Sequence, residues 1–162
     1  MHTSIVSEVC MRLQDAEKLM KEKMIAHGLT DYRFEFSRTK RAFGDCNTYL
    51  KVIRLSKPLV EINEEATVLK TILHEIAHAL TPDHNHDTTW QMKCIEIGGD
   101  GKRCKTEANF LERKVNLRCL ACNTIIRKAF RKQNMSKAYH KPCGKRTDGM
   151  LNFIPMLKWE KA

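Results

Sequence analysis

The sequence predicts an α+β fold in which helices pack on a small antiparallel sheet and a short basic module follows. Three observations support this: helical spacing of apolar residues in two long segments, period-two alternation between them, and an abrupt change of charge. Residues 1–100 hold 13 Lys/Arg and 15 Asp/Glu, whereas residues 101–162 hold 16 and 4. We therefore predict two domains, 1–100 and 101–162, joined by a hinge at 98–101 (Gly-Gly-Asp-Gly).

The first elements are a helix and two strands. Residues 5–26 carry apolar side chains at spacings of three and four, which predicts an amphipathic helix, and Gly28 is well placed to end it. Residues 31–36 alternate aromatic and polar side chains, as in a half-buried strand. Residues 49–56 predict a second strand. We expect the two strands to pair antiparallel, with a turn at Gly44-Asp45 between them.

Two more helices and several short strands follow. Asn63 is suited to cap a helix over residues 64–80, which Thr81-Pro82 would end. A further helix is expected over residues 87–97, ending at Gly98-Gly99. Beyond residue 101, the pieces 115–118, 124–130 and 150–157 are rich in β-prone side chains.

Composition limits where the protein works. The first twenty residues are too rich in charged side chains for a signal-peptide core, and no apolar run approaches the roughly 20 residues that span a bilayer. We expect a monomer that is cytoplasmic or nucleoid-associated, not secreted, and without a membrane partner. Disulfides are disfavoured in such a reducing compartment. Seven cysteines, an odd number, then indicate a metal site plus free buried thiols, which we assign to Cys10, Cys46 and Cys94.

The run His74-Glu75-Ile-Ala-His78 lies inside the helix predicted at 64–80. Two histidines four apart on a helix project from the same face and can bind one zinc ion, leaving room for a third ligand and a water. Glu75 follows the first ligand, so its carboxylate can reach a metal-bound water and act as general base. The alternative is a solvated helix face, but the apolar flanks make this helix a buried one.

Two histidines downstream are candidates for the third ligand. His84 stands six residues after His78. A third ligand at this spacing requires a tight turn with glycine three residues after His78, and Thr81 occupies that position. His86 stands at the start of the next predicted helix, which can deliver its ring to the metal. The spacing favours His86 and leaves His84 open.

A second set of potential ligands lies in the basic third of the chain. Cys119-x-x-Cys122 and His140-x-x-Cys143 form two knuckles that can surround one tetrahedral zinc. This closed set predicts a structural zinc ribbon, whose metal would supply folding energy that so small a core lacks. Cys104 is an alternative to His140 as fourth ligand.

Basic side chains surround these knuckles. Such residues neutralise phosphates, so a nucleic acid is the expected partner. A merely solubilising surface is the alternative. The candidate nucleic-acid-binding residues are Arg118, Arg127, Lys128, Arg131 and Lys132.

The chain resembles the SprT-like metallopeptidases. The resemblance is carried by residues 41–44, 53–56, 71–80, 86–90 and 98–104, and with the ribbon it extends from about residue 34 to the end. It implies a minimal zincin-like core of the short bacterial or phage type, with His86 as third ligand. Asp87 departs from the glycine usual after that histidine. Some family members cleave proteins attached to DNA and depend on DNA for activity.

Three functions are therefore compatible with the sequence. The first is a zinc endopeptidase acting on DNA-associated or DNA-crosslinked proteins, with one catalytic and one structural Zn²⁺. The second is a nucleic-acid-binding zinc protein or regulator with little or no protease activity. The third is a zinc hydrolase with a small-molecule or cell-wall substrate. The intact Glu75 favours the first over the second, and the basic ribbon without an export signal favours it over the third.

Overall fold

The structure, a computed structural model, describes residues 10–103, 108–134, 140–143 and 157–162. The chain forms two compact units, Met1–Leu111 and Glu112–Ala162. The division falls after Leu111 instead of after residue 100, because Ala108 and Leu111 pack against the apolar core of the first unit. Among the described helices, none combines the length and the apolar character that crossing a bilayer requires.

The first unit holds four helices and three strands. The helices are α1 (Leu13–Ala26), α2 (Lys57–Val60), α3 (Glu65–Leu80) and α4 (Thr88–Glu96). The strands are β1 (Arg33–Ser37), β2 (Gly44–Asn47) and β3 (Val52–Ser56). Sequence analysis predicted all of these except β2 and the single-turn α2, which Ser56 caps by accepting a hydrogen bond from the Leu59 amide.

Helix α1 begins later than predicted. Cys10 forms an isolated antiparallel bridge with Glu64, and the Met11 amide donates to the Asn63 carbonyl, so this stretch is extended and not helical. Residues 5–9 of the predicted helix lie outside the described residues. The C-terminal end is as predicted: Gly28, with φ of +73°, adopts the left-handed conformation that glycine tolerates.

The sheet of the first unit is mixed, with strand order β1-β3-β2. Strand β1 pairs parallel with β3, and β2 pairs antiparallel with β3. The prediction of an antiparallel pair for the first and last of these strands is therefore wrong, and so is the turn at Gly44-Asp45, which opens β2. Alternation reveals which face of a strand is buried, but it carries no information about the neighbouring strand or its direction.

Helix α3 packs its apolar face against this sheet. Val68, Ile72 and Ile76 are fully buried in one cluster with Ile53 and Leu55 of β3. The helix is therefore a core element, and the side chains that it carries near its C-terminal end are held on a rigid base.

Asn63 does not cap α3, contrary to prediction. The N-cap is Glu64, which makes no side-chain capping bond. The Asn63 amide instead donates to the carbonyls of Leu59 and Asn109 and accepts from the Asn109 backbone amide. It thus ties the segment after residue 103 to the core of the first unit.

The second unit is a three-stranded antiparallel sheet. It consists of β4 (Val115–Cys119), β5 (Ile125–Ala129) and β6 (Leu157–Lys161), in the order β5-β4-β6. A short 3-10 helix covers Lys141–Cys143. Strands β4 and β5 lie where the sequence predicts them; the third predicted piece, 150–157, falls outside the described residues apart from Leu157.

Candidate active site

Three histidine rings converge in the first unit. The Nε2 atom of His86 lies 3.0 Å from that of His74 and 3.1 Å from that of His78, and the latter two are 3.3 Å apart. His74 and His78 come from α3, one turn apart. His86 stands just before α4 in the left-handed conformation, with φ of +56°.

This geometry fits a zinc ion. Zn–N bonds of about 2.0–2.1 Å at tetrahedral angles place the ligand nitrogens roughly 3.3 Å apart. Three imidazole nitrogens in mutual contact have no mutually satisfying hydrogen-bond arrangement, whereas a shared cation accepts a lone pair from each. Burial, aided by the neighbouring His86, lowers the pKa of His78 to about 4, so its ring is in the neutral form that binds metal.

Helix α4 contacts all three rings through Trp90. Its Trp90 is 1% exposed and stacks on His78, with ring centroids 5.1 Å apart and planes inclined at 26°. The same indole meets His74 and His86 edge-on, at 4.7 Å and 4.5 Å. Trp90 therefore belongs to the packing of the site.

His84 lies apart from this cluster. Its Nδ1 is 2.7 Å from Oδ2 of Asp87, whose other carboxylate oxygen accepts from the Trp90 amide and caps α4. Asp87 is thus the N-cap of α4. Of the two histidines that sequence analysis left open, only His86 has its ring at His74 and His78.

Glu75 is 6% exposed, and its carboxylate faces β2. A Cβ built on Gly44 would lie 2.6 Å from Glu75 Oε1 and 2.7 Å from its Cγ. Any side chain at residue 44 would therefore displace the carboxylate. Burial, and next the charge of Glu75, raises the pKa of Cys46 on the same strand to about 12.

Gly44 is a functional position that sequence analysis missed. The sequence suggested a turn at this glycine. In the structure, the missing side chain allows β2 to approach α3 closely. Sequence carries a hint, since glycine inside a strand often marks such an approach, yet nothing in it names Glu75 as the neighbour.

The cleft around this site has two halves. One, of about 390 Å³, is polar and contains all three histidines together with Asn85. The other, of about 370 Å³, is lined by Phe43, Thr71, Arg103 and Phe110. Gly44, His74 and Glu75 line both halves, so the two adjoin at these residues.

A second cluster of ligand atoms lies in the second unit. Cys119, Cys122, His140 and Cys143 bring their sulfur and nitrogen atoms within 4.8 Å of one another. His140 Nδ1 is 3.4 Å from the sulfur of Cys122 and 3.3 Å from that of Cys143. Zn–S bonds of about 2.3 Å and tetrahedral angles would place such atoms roughly 3.6 Å apart, so the set also fits zinc.

Within this cluster the thiol of Cys122 has a lowered pKa. The hydrogen bonds that Cys122 makes with the side chain and backbone of Thr124 lower the pKa of its thiol to about 6, which favours the thiolate that binds metal. Cys104, the alternative fourth ligand, lies outside the described residues.

The thiols away from the cluster are not uniformly buried. Cys94 is fully buried in α4 and Cys46 is half-buried. Cys10 is exposed, so the prediction of a buried thiol is wrong there. Its extended stretch runs along the surface next to Glu64 instead of on the inner face of a helix.

The predicted nucleic-acid-binding residues separate into two groups. Arg127, Lys128, Arg131 and Lys132 are exposed on and after β5. Arg118 is instead engaged within its own unit: its guanidinium lies 2.6 Å from the Glu160 carboxylate and also donates to the Asn123 carbonyl. It joins β4 to β6 and is poorly placed to contact a phosphate.

A pair of histidines on one helix, with a glutamate beside them and a third histidine just before the next helix, is typical of zinc metallopeptidases. The model of the SprT-like family matches residues 12–109. The chain therefore belongs to the SprT-like family, the metallopeptidase family that its motifs resemble. The match covers the first unit and stops before the second, whereas the sequence resemblance was expected to run to the chain end.

Two solved structures resemble part of the chain. One is the metallopeptidase zymogen jannalysin of Methanocaldococcus jannaschii, with 24% identity, a TM-score of 0.45, and coverage of 51% of this chain and 89% of that one. The other is the zymogen abylysin of Pyrococcus abyssi, with 18% identity, a TM-score of 0.45, and coverage of 54% and 83%. No curated protein matches the chain.

Proposed function

We propose that the protein is a zinc-dependent endopeptidase in which His74, His78 and His86 hold the catalytic metal and Glu75 is the general base. One observation carries this proposal. Three imidazole nitrogens meet at a single point, while the buried Glu75 carboxylate lies beside them and not among the potential ligands. A purely structural site would have no use for that carboxylate.

The division of labour follows from these positions. Zinc bound there would polarise the peptide carbonyl and lower the pKa of a water towards about 7. Glu75, whose carboxylate packs against Gly44, takes the proton of the attacking water and passes it to the leaving amine. The neighbouring core of α3 and Trp90 keep the ligands in place during the reaction.

The test is Glu75→Gln, with Glu65→Gln as matched control. Both are glutamates of α3, but Glu65 is exposed in its first turn. Glu75→Gln should retain zinc by elemental analysis and lose roughly 100- to 10,000-fold in casein or peptide cleavage, as expected for removal of a general base. Glu65→Gln should cleave normally. Undiminished cleavage by Glu75→Gln would contradict the mechanism.

We further propose that the substrates are DNA-associated or DNA-crosslinked proteins and that the second unit docks DNA. The support is the excess of positive charge in residues 101–162 and the exposure of the four basic side chains on and after β5. In this proposal Cys119, Cys122, His140 and Cys143 hold a second, structural zinc as a ribbon. The same basic surface favours the alternative of a nucleic-acid-binding zinc protein or regulator with little or no protease activity.

A combined variant separates these possibilities. Replacing Arg127, Lys128, Arg131 and Lys132 together by alanine should weaken DNA binding and reduce the slope of log affinity against log salt by about one for each phosphate that is no longer neutralised. Replacing the exposed Lys18 and Lys21 of α1 serves as control. Cleavage of a DNA-bound protein should fall in the first variant while casein cleavage persists. If the wild type binds DNA but cleaves neither substrate, the regulator is the correct alternative.

A further inference from the structure

The apolar half of the cleft is not used by the chemistry described above. It lies beyond Glu75, between the entry of β2, the middle of α3 and the segment around residues 103 and 110. Its volume of about 370 Å³ falls in the range of pockets that hold small ligands. Because it shares Gly44, His74 and Glu75 with the histidine half, a peptide cleaved there has a neighbouring side chain within reach of it.

Two phenylalanine rings, Phe43 and Phe110, form the apolar walls of this half. Phe43 is 5% exposed, and the Thr71 hydroxyl is turned away to donate to the Thr67 carbonyl, so Thr71 offers no donor to the pocket. Phe110 closes the pocket and is still 49% exposed, which leaves a large apolar surface without cover. Such a surface gains most from contact with another apolar group.

Arg103 gives the pocket its only cationic lining among the residues that the structure describes. The side chain is exposed, and Arg103 lines the pocket together with His74 and Glu75. A cation at this place repels a second cation that enters the same pocket.

We propose that this half of the cleft is a substrate side-chain subsite that takes a large apolar residue next to the cleaved bond and disfavours a basic one. Phe110 supplies the apolar wall and Arg103 supplies the discrimination by charge. The inference rests on the proposed peptidase function and goes beyond it, because it assigns the type of sequence at which the enzyme cuts.

The experiment uses quenched fluorescent peptides on one scaffold, in which single positions are varied among Phe, Leu, Ala, Lys and Glu. The wild type should prefer Phe or Leu over Ala at one position, roughly tenfold or more in kcat/KM. Phe110→Ala should flatten this preference, and Phe110→Leu should keep it. Arg103→Glu should raise cleavage of the Lys peptide relative to the Glu peptide by roughly two- to fivefold, the range of an exposed charge pair.

Lys102→Ala is the matched control, since Lys102 is an exposed neighbouring cation that does not line the pocket. Its selectivity should equal that of the wild type. Melting temperatures exclude unfolding as the cause of a changed profile. An identical selectivity profile in the wild type, Phe110→Ala and Arg103→Glu would overturn the proposal.

A binding measurement keeps this test separate from that of the peptidase function. The same peptides are titrated against the Glu75→Gln protein, with and without the Phe110→Ala change, by fluorescence anisotropy. Peptides that bind selectively but are never cut by the wild type would contradict the peptidase function and support the subsite. Peptides that are cut without preference, or that do not bind, would overturn the subsite.

Discussion

The two ligand clusters of this chain differ in what holds their side chains in place. His74 and His78 are carried by a helix whose other face is fully buried in the core, and Trp90 packs against all three histidine rings. The cysteine cluster lies on the end of β4, the turn after it and a short 3-10 helix; Cys119 is buried and Cys122 is exposed. The first cluster is held by packing that exists without a metal, whereas the described part of the second unit offers its cluster fewer buried side chains.

Buried side chains show the same contrast. The first unit has a continuous apolar cluster drawn from α1, the sheet, α2 and α3. In the described part of the second unit the buried apolar side chains are Leu117, Cys119 and Ala129. A catalytic ion thus needs a preformed site with an open position, while a structural ion replaces a missing core.

Metal removal should have the largest effect and should separate the two units. A chelator is expected to abolish cleavage and to unfold the second unit, because binding energy in such sites is folding energy. The first unit should keep its amide protection in hydrogen exchange, since its core does not depend on the ion. Equal loss of protection in both units would contradict the contrast between them.

Exchange of single histidines should have the next largest effect. His86→Ala removes one of three ligands and should lower zinc content and cleavage to background, with little change in the melting of the second unit. His84→Ala removes an exposed interaction with Asp87, which contributes little to stability, and should retain zinc and activity. Elemental analysis measures the zinc content, and zinc loss in His84→Ala instead would reverse the ligand assignment.

Gly44→Ala should uncouple activity from stability. The added methyl would meet Glu75 Oε1 at 2.6 Å and move the carboxylate, so kcat should fall roughly tenfold to a hundredfold with zinc retained. Gly28→Ala is the control: it has φ of +73° but nothing within 4 Å of the new methyl, so it should cost about 1 kcal/mol of stability and no activity. Kinetics and thermal melting of both variants check this, and a normal kcat in Gly44→Ala would contradict it.

The smallest effect concerns the two kinds of basic residue in the second unit. Arg118→Ala should lower the melting temperature of that unit slightly, because it removes the partner of Glu160, and should leave DNA affinity nearly unchanged. Arg127→Ala should do the reverse, weakening DNA binding without a change in melting. A DNA-binding defect as large in Arg118→Ala as in Arg127→Ala would show that its ion pair opens on binding.

Much of the local structure was predictable, since it depends on neighbours in sequence. The end of α1 at Gly28 and the capping of α4 by Asp87 follow from backbone conformation and short-range hydrogen bonds. The capping role assigned to Asn63 was wrong because a distant partner, Asn109, uses its side chain instead. The direction of the β1 and β3 pairing was wrong for a similar reason, since strand neighbours are a long-range property.

By itself the sequence determined the candidate ligands and their spacing: a helix that places His74 and His78 one turn apart with Glu75 between them, and two knuckles of cysteine and histidine in a basic segment. Those features are local, because helical periodicity and ligand type fix them within a few residues. Only the tertiary structure placed the ring of His86 and not His84 at the site, and brought Gly44 against Glu75. It also placed Phe110 and Arg103 beside the same cleft, since such juxtapositions arise when distant segments pack on one core.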